Sequence, residues 1–151
     1  MSLRKEAGKA NVTSLVERKS RFTFLLPNDD KRSAAVIAGI ADTLRPLPED
    51  ARRTVTFDRG TEFAGCAALD RDLAVKAYFC DPPSPWQKGA VENTNGRVRR
   101  FLPRHCEPGA LARPHLRRLA DRLNDTPRRC LGYRTPREVF EQHLAAPTGP
   151  P

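Results

Sequence analysis

Apolar positions along the chain fall into short runs separated by polar and proline-rich breaks, and their spacing changes from strand-like to helix-like several times. Val12 to Val16 and Arg21 to Leu26 are rich in β-branched, aromatic and leucine residues. The charged link Glu17 to Ser20 joins them, so a β-hairpin is predicted. Asn28 to Ser33 is a polar break, with Asp30 as a candidate cap. Beyond it Ala34, Ile37, Ile40, Ala41 and Leu44 recur at helical spacing until Pro46 and Pro48. Thr54 to Phe57 reads as a strand that delivers Asp58 to a turn at Arg59 and Gly60. Thr61 can cap a helix from Glu62 to about Leu73, and Val75 to Phe79 forms the next strand. Alternating helices and short strands predict an α/β sheet.

After the prolines at 82, 83 and 85, a helix is expected from about Gln87, with Val91, Thr94, Asn95, Val98, Phe101 and Leu102 along one face. Glu92 falls on the flank of that stripe, among Lys88, Arg97, Arg99 and Arg100. Asparagine and glycine cost roughly 0.5 to 1 kcal/mol each against alanine inside a helix. Asn93, Asn95 and Gly96 were therefore chosen by something other than helix stability. Asn95 followed by Gly96 also fits a hairpin turn, which the helical stripe argues against. Pro114 opens a further helix with Leu116, Leu119, Ala120 and Leu123 as its apolar stripe. Thr135, Pro136, Arg137 and Glu138 form a capping box for the last one. Residues 1–11 read as a loose N-terminus, 12–145 as one partial core and 146–151 as a disordered tail.

Charge changes the picture by naming a partner class. The 151 residues carry a formal net charge of +9, which favours a polyanion at encounter. No apolar run approaches a membrane span, and the first residues lack a signal-peptide core, so a cytoplasmic protein is expected. Cys66, Cys80, Cys106 and Cys130 are scattered without a zinc-type spacing and read as reduced thiols. His105, His115 and His143 have no catalytic partner at readable spacing.

Two acids carry the candidate chemistry. Asp58 stands at a strand end and Glu92 on a basic helix. Carboxylates beside arginines suit a divalent cation working on a phosphodiester. On spacing alone Asp58 fits equally a turn acid capping Thr61, and Glu92 an ion pair with Lys88. Lys88, Asn93, Asn95, Arg97, Arg99 and Arg100 are candidate DNA contacts, the cations to phosphates. Trp86 either stacks on a base or lids the core, and Asp81 is a minor candidate acid or a strand-end cap.

The segments FDRGTEFA and YFCDPPSPWQKGAVENTNGRVRRFLP, with SLVERKSRF and CLGYRTPREVF, resemble the catalytic core of insertion-sequence transposases of the IS-thirty family. That family belongs to the DDE transposase and retroviral-integrase superfamily. The resemblance runs from about Lys9 to Phe140. It implies an RNase H-like, retroviral integrase-type fold: a mixed sheet flanked by helices, here with the first strand missing or incomplete. It makes Asp58 the second and Glu92 the third catalytic and metal-binding acid. An intact site would hold two Mg or Mn ions for nicking and joining of DNA.

The family's first Asp lies upstream of where RKEAGKANV begins, and Glu6 is the only acid before Val12. The expectation is therefore impaired catalysis and impaired metal binding by this chain alone, without a helix-turn-helix for transposon ends. The partners implied are DNA, both transposon ends and target, and a second copy or a full-length transposase, at the nucleoid. The reading from another class is a non-catalytic DNA-binding or oligomerising remnant that modulates such a transposase.

Overall fold

The computed structural model describes residues 11–28, 33–57, 63–80, 89–102 and 111–146. The expected hairpin is formed by β1 (Asn11–Val16) and β2 (Thr23–Asn28), antiparallel with Asn11 opposite Asn28 and Val16 opposite Thr23. Its turn is built around the Glu17 carboxylate. That group accepts from the N–H of Lys19 at 2.9 Å, the N–H of Ser20 at 2.6 Å and the Ser20 hydroxyl. The turn ends at Arg21 with φ 63°, a left-handed conformation that costs a residue with a Cβ roughly 1 kcal/mol.

Side chains alternate across a strand, and this hairpin buries both faces. Val12 and Leu25 enter one apolar cluster, and Leu15 and Leu26 pack against another. The second of these clusters is built on α1 (Ser33–Leu44), β3 (Thr54–Phe57), α2 (Ala67–Leu73) and β4 (Lys76–Phe79). Its centre is Ile37, Ile40, Phe57, Leu69 and Val75. The stretch from β3 through α2 to β4 is a βαβ unit: the strands pair in parallel, Thr54 opposite Lys76 and Phe57 opposite Phe79. Helix α2 begins later than the sequence pattern implies, because residues 63–66 form turns in which Cys66 donates to the Phe63 carbonyl. Gly65 lets that segment approach α1: its N–H reaches Ser33 Oγ at 2.7 Å, and a Cβ there would lie 3.0 Å from the same oxygen.

On the other face of the hairpin lie α3 (Gly89–Val98) and α4 (Arg113–Asn124). Val98 and Leu102 meet Leu116, Leu119 and Leu123 beneath Val12 and Leu25. Two polar ties fix these helices to the strands. Ser14 donates to Asn95 Oδ1 at 2.7 Å, and Asn124 both accepts from the Thr23 N–H and donates to its carbonyl, each at 2.9 Å. Helix α5 (Pro136–Ala145) starts at the expected capping box. It docks through Arg137, bridged to Asp121 and Asp125 of the α4 end, and through Phe140 stacked on Phe22 with ring centres 4.4 Å apart.

The mixed α/β character is as expected, but among the described residues the strands make two separate pairs, not one continuous sheet. Phe101, expected on the packed face, is exposed, with the Arg122 guanidinium 4.5 Å over its ring. The predicted caps Asp30 and Thr61, the loose N-terminal segment up to residue 10 and the tail from residue 147 lie outside the described residues.

Candidate nucleic-acid interface and catalytic edge

Helix α3 organises the site, and its roll about its own axis is set by what it buries. Thr94 and Val98 face inward, and Asn95 is held by Ser14 of β1. With about 100° per residue, Glu92 and Arg99 flank Asn95 on one side of the buried stripe, while Asn93 and Arg97 lie on the other. Glu92 is exposed and has no ion-pair or hydrogen-bond partner among the described residues. Arg99 and Arg100 are exposed beyond the helix end. Gly96, one turn after Glu92, has nothing within 4 Å of where a Cβ would stand.

The opposite flank of α3 borders a cavity of about 350 Å³. Asn93, Thr94 and Arg97 line it from the helix, Arg21 from the hairpin turn, and Arg128, Arg129 and Cys130 from the loop after α4. Those loop residues are held in a tight turn, with the N–H groups of Leu131 and Tyr133 both bonded to the Arg128 carbonyl. Arg128 is 8% exposed. Its Nη2 donates to the Leu123 carbonyl at 2.9 Å, and its Nε is buried with no partner among the described residues. Burial, and then the nearby positive charge of Arg97, push its guanidinium below the usual arginine value.

Of the sequence-predicted residues, the structure brings Asn93 and Arg97 together at this cavity. It ties Asn95 to the hairpin and leaves Glu92, Arg99 and Arg100 on open surface. Asp58, Asp81, Trp86, Lys88 and His105 lie outside the described residues; in the chain, Asp58 directly follows the last residue of β3. Arg21, Arg128 and Arg129 were not singled out from sequence. The PRRC stretch held a signal in its paired arginines, but nothing in it shows that a hairpin turn far away completes the cluster.

No family model matches the chain. It is 41% identical over 145 residues, 95% of its length, to the transposase for insertion sequence element IS1086 of Cupriavidus metallidurans, and covers 43% of that protein. It is 38% identical over 136 residues, 90% of its length, to the transposase InsI for insertion sequence element IS30C of Escherichia coli, covering 36% of it. The chain belongs to the IS-thirty family of insertion-sequence transposases. It spans less than half the length of these curated relatives. The fold agrees. The catalytic core domain of BIV integrase superposes with a TM-score of 0.67 at 18% identity, over 89% of this chain and 88% of that one. An integrase in the simian T-cell lymphotropic virus intasome, in complex with PP2A regulatory subunit B56 gamma, gives 0.62 at 17%, over 94% of this chain and 55% of that one. The architecture of this IS-thirty family chain is thus the RNase H-like integrase core.

Proposed function

We propose that the chain supplies the phosphoryl-transfer core for DNA transposition, with Asp58 and Glu92 as metal-holding carboxylates. One observation carries this: an exposed glutamate without an ion-pair or hydrogen-bond partner among the described residues stands on a helix that Arg99 and Arg100 directly follow, in a chain 41% identical to a transposase. Glu92 offers hard oxygen ligands of the kind Mg or Mn takes. Glu92 would act with Asp58, the residue that follows β3 in the sequence. Ligands in α/β sheets sit beyond the carboxyl ends of the strands, and Asp58 is next in sequence after the last residue of β3. Bound divalent ions would supply activation of the attacking oxygen and stabilisation of the leaving one.

The chain's own part is positioning. Arg99 and Arg100, with Lys88 and Trp86 from the preceding segment, would hold the DNA backbone beside Glu92. Asn93 and Arg97 would take it on the other flank. Asn95 fixes the helix roll through Ser14 and so sets the direction of Glu92. A DNA partner would place the protein at the nucleoid, and a transposase of this kind would act as a multimer.

The test is nicking of supercoiled DNA in Mg by the unsubstituted chain, Asp58→Ala and Glu92→Ala. Nicking that is impaired beside that of a full-length transposase, and that both substitutions abolish, is the expected result; activity equal in all three overturns the assignment. Salt-sensitive DNA binding with no nicking by any of them favours the non-catalytic reading, a DNA-binding or oligomerising segment that modulates a full-length transposase.

A further inference from the structure

We infer that the cavity between α3, the hairpin turn and the Arg128 loop is a binding site for a phosphate oxyanion, filled by one backbone phosphodiester when DNA is bound. The inference rests on the DNA-binding reading above for its source of phosphate, but its chemistry is read from the cavity itself.

Four arginines, Arg21, Arg97, Arg128 and Arg129, line one space, and among the described residues no carboxylate lines it with them. Like charges crowded in a partly desolvated cavity repel unless a counter-charge joins them. Elsewhere among the described residues Arg53 meets Asp50, Arg71 meets Asp72 and Arg137 meets two aspartates, while Arg122 lies over the Phe101 ring. The four cavity arginines have neither kind of partner in the lining.

Arg128 supplies the independent observation. More than nine-tenths of it is buried, yet its Nε has no acceptor among the described residues. That Nε is sealed from solvent and Nη2 is engaged by the Leu123 carbonyl, so an oxyanion in the cavity would answer the charge of Arg128 rather than those two groups, and a buried charge without a counter-charge is costly. Arg21 reaches the cavity from a left-handed backbone position where asparagine or glycine would be cheaper, so the side chain is retained against a local backbone cost. Asn93 and Thr94 add neutral polar groups suited to the remaining oxygens. The site lies on the flank of α3 away from Glu92. It would therefore anchor the backbone at a distance from the reacting phosphodiester and fix the register of the duplex on the helix.

Cys130, exposed on the cavity lining, is a reporter already in place. Its alkylation by iodoacetamide would be followed at peptide level by mass spectrometry, alone and with duplex DNA or inorganic pyrophosphate. Duplex affinity would be measured in parallel by fluorescence anisotropy against salt. Arg97→Gln and Arg129→Gln are the main variants because both side chains reach solvent; Arg128→Gln is read only if its circular dichroism matches the parent. Arg71→Gln, on α2, is the control.

The expected result is slowed alkylation with duplex, affinity weakened roughly tenfold in each cavity variant, and a salt slope smaller by about 1, with Arg71→Gln unchanged. Protection by pyrophosphate with duplex bound but not protecting supports the oxyanion site and assigns it to a free anion. Pyrophosphate protection with no duplex binding keeps the cavity assignment and removes the DNA reading. Duplex binding with no protection by either anion and unchanged slopes overturns the inference and leaves the DNA reading intact.

Discussion

Two side chains carry more of the local structure than their size suggests. Asn124 closes both backbone groups of Thr23 from the end of α4, in a fully desolvated position. Asn124→Ala would strand a buried donor and acceptor, so it should cost about 2 to 4 kcal/mol, read as a lowered urea midpoint. Glu17 is pushed up by burial, but the bonds from Lys19 and Ser20 outweigh this and hold its carboxyl below its ordinary value of 4.5. A carboxyl lowered on folding stabilises the native state above its unfolded pKa, and that gain is lost as pH falls through the folded value. Between pH 4.5 and more acid conditions, the parent should lose urea stability more steeply than Glu17→Gln. Parallel curves would show that Glu17 does not organise the turn in solution.

At the level of elements, α3 trades stability for access. Gly96 is exposed with open space around it, so Gly96→Ala should raise stability by about 0.5 to 1 kcal/mol in thermal or urea unfolding. If the bare backbone beside Glu92 admits DNA, the same change should weaken duplex binding. Stabilisation with unaltered binding would remove that role. Helix α5 gives a cleaner forecast: Thr135→Ala removes the hydroxyl that accepts the Glu138 N–H at 3.1 Å and should cost about 1 kcal/mol.

These two helices also mark what the residues disclosed in advance. The α5 box was readable because its bonds join residues three apart, and β3 was readable because its run is short and lies between Arg53 and the polar Asp58–Arg59–Gly60 sequence. The inward face of α3 was readable at Thr94, Val98 and Leu102, but Phe101 was misjudged, because the exposed ring is covered by Arg122 from a helix some twenty positions on. The late start of α2 was hidden for a similar reason, since the turns at 63–66 are shaped by contact between Gly65 and Ser33. Arg21 and Arg128 were invisible as a pair, being brought together only by the fold.

Across the whole molecule, the net charge of +9 and the arginine-lined surfaces would make the proposed affinity for DNA depend on salt. Binding should fall steeply between about 50 and 200 mM salt, with a log–log slope that counts phosphates contacted. A flat salt response would argue against a backbone-directed interface. Among the described residues no helix is long and apolar enough to cross a membrane.

The hairpin formed by β1 and β2 is a partition between two interiors, with odd-numbered residues of β1 serving one side and even-numbered ones the other. One extra residue inside either strand would send Val12 and Leu15, or Leu25 and Leu26, into each other's compartments and unbalance both at once. An added residue would therefore be tolerated only in the connecting bend, and there the left-handed Arg21 must still arrive at the same place.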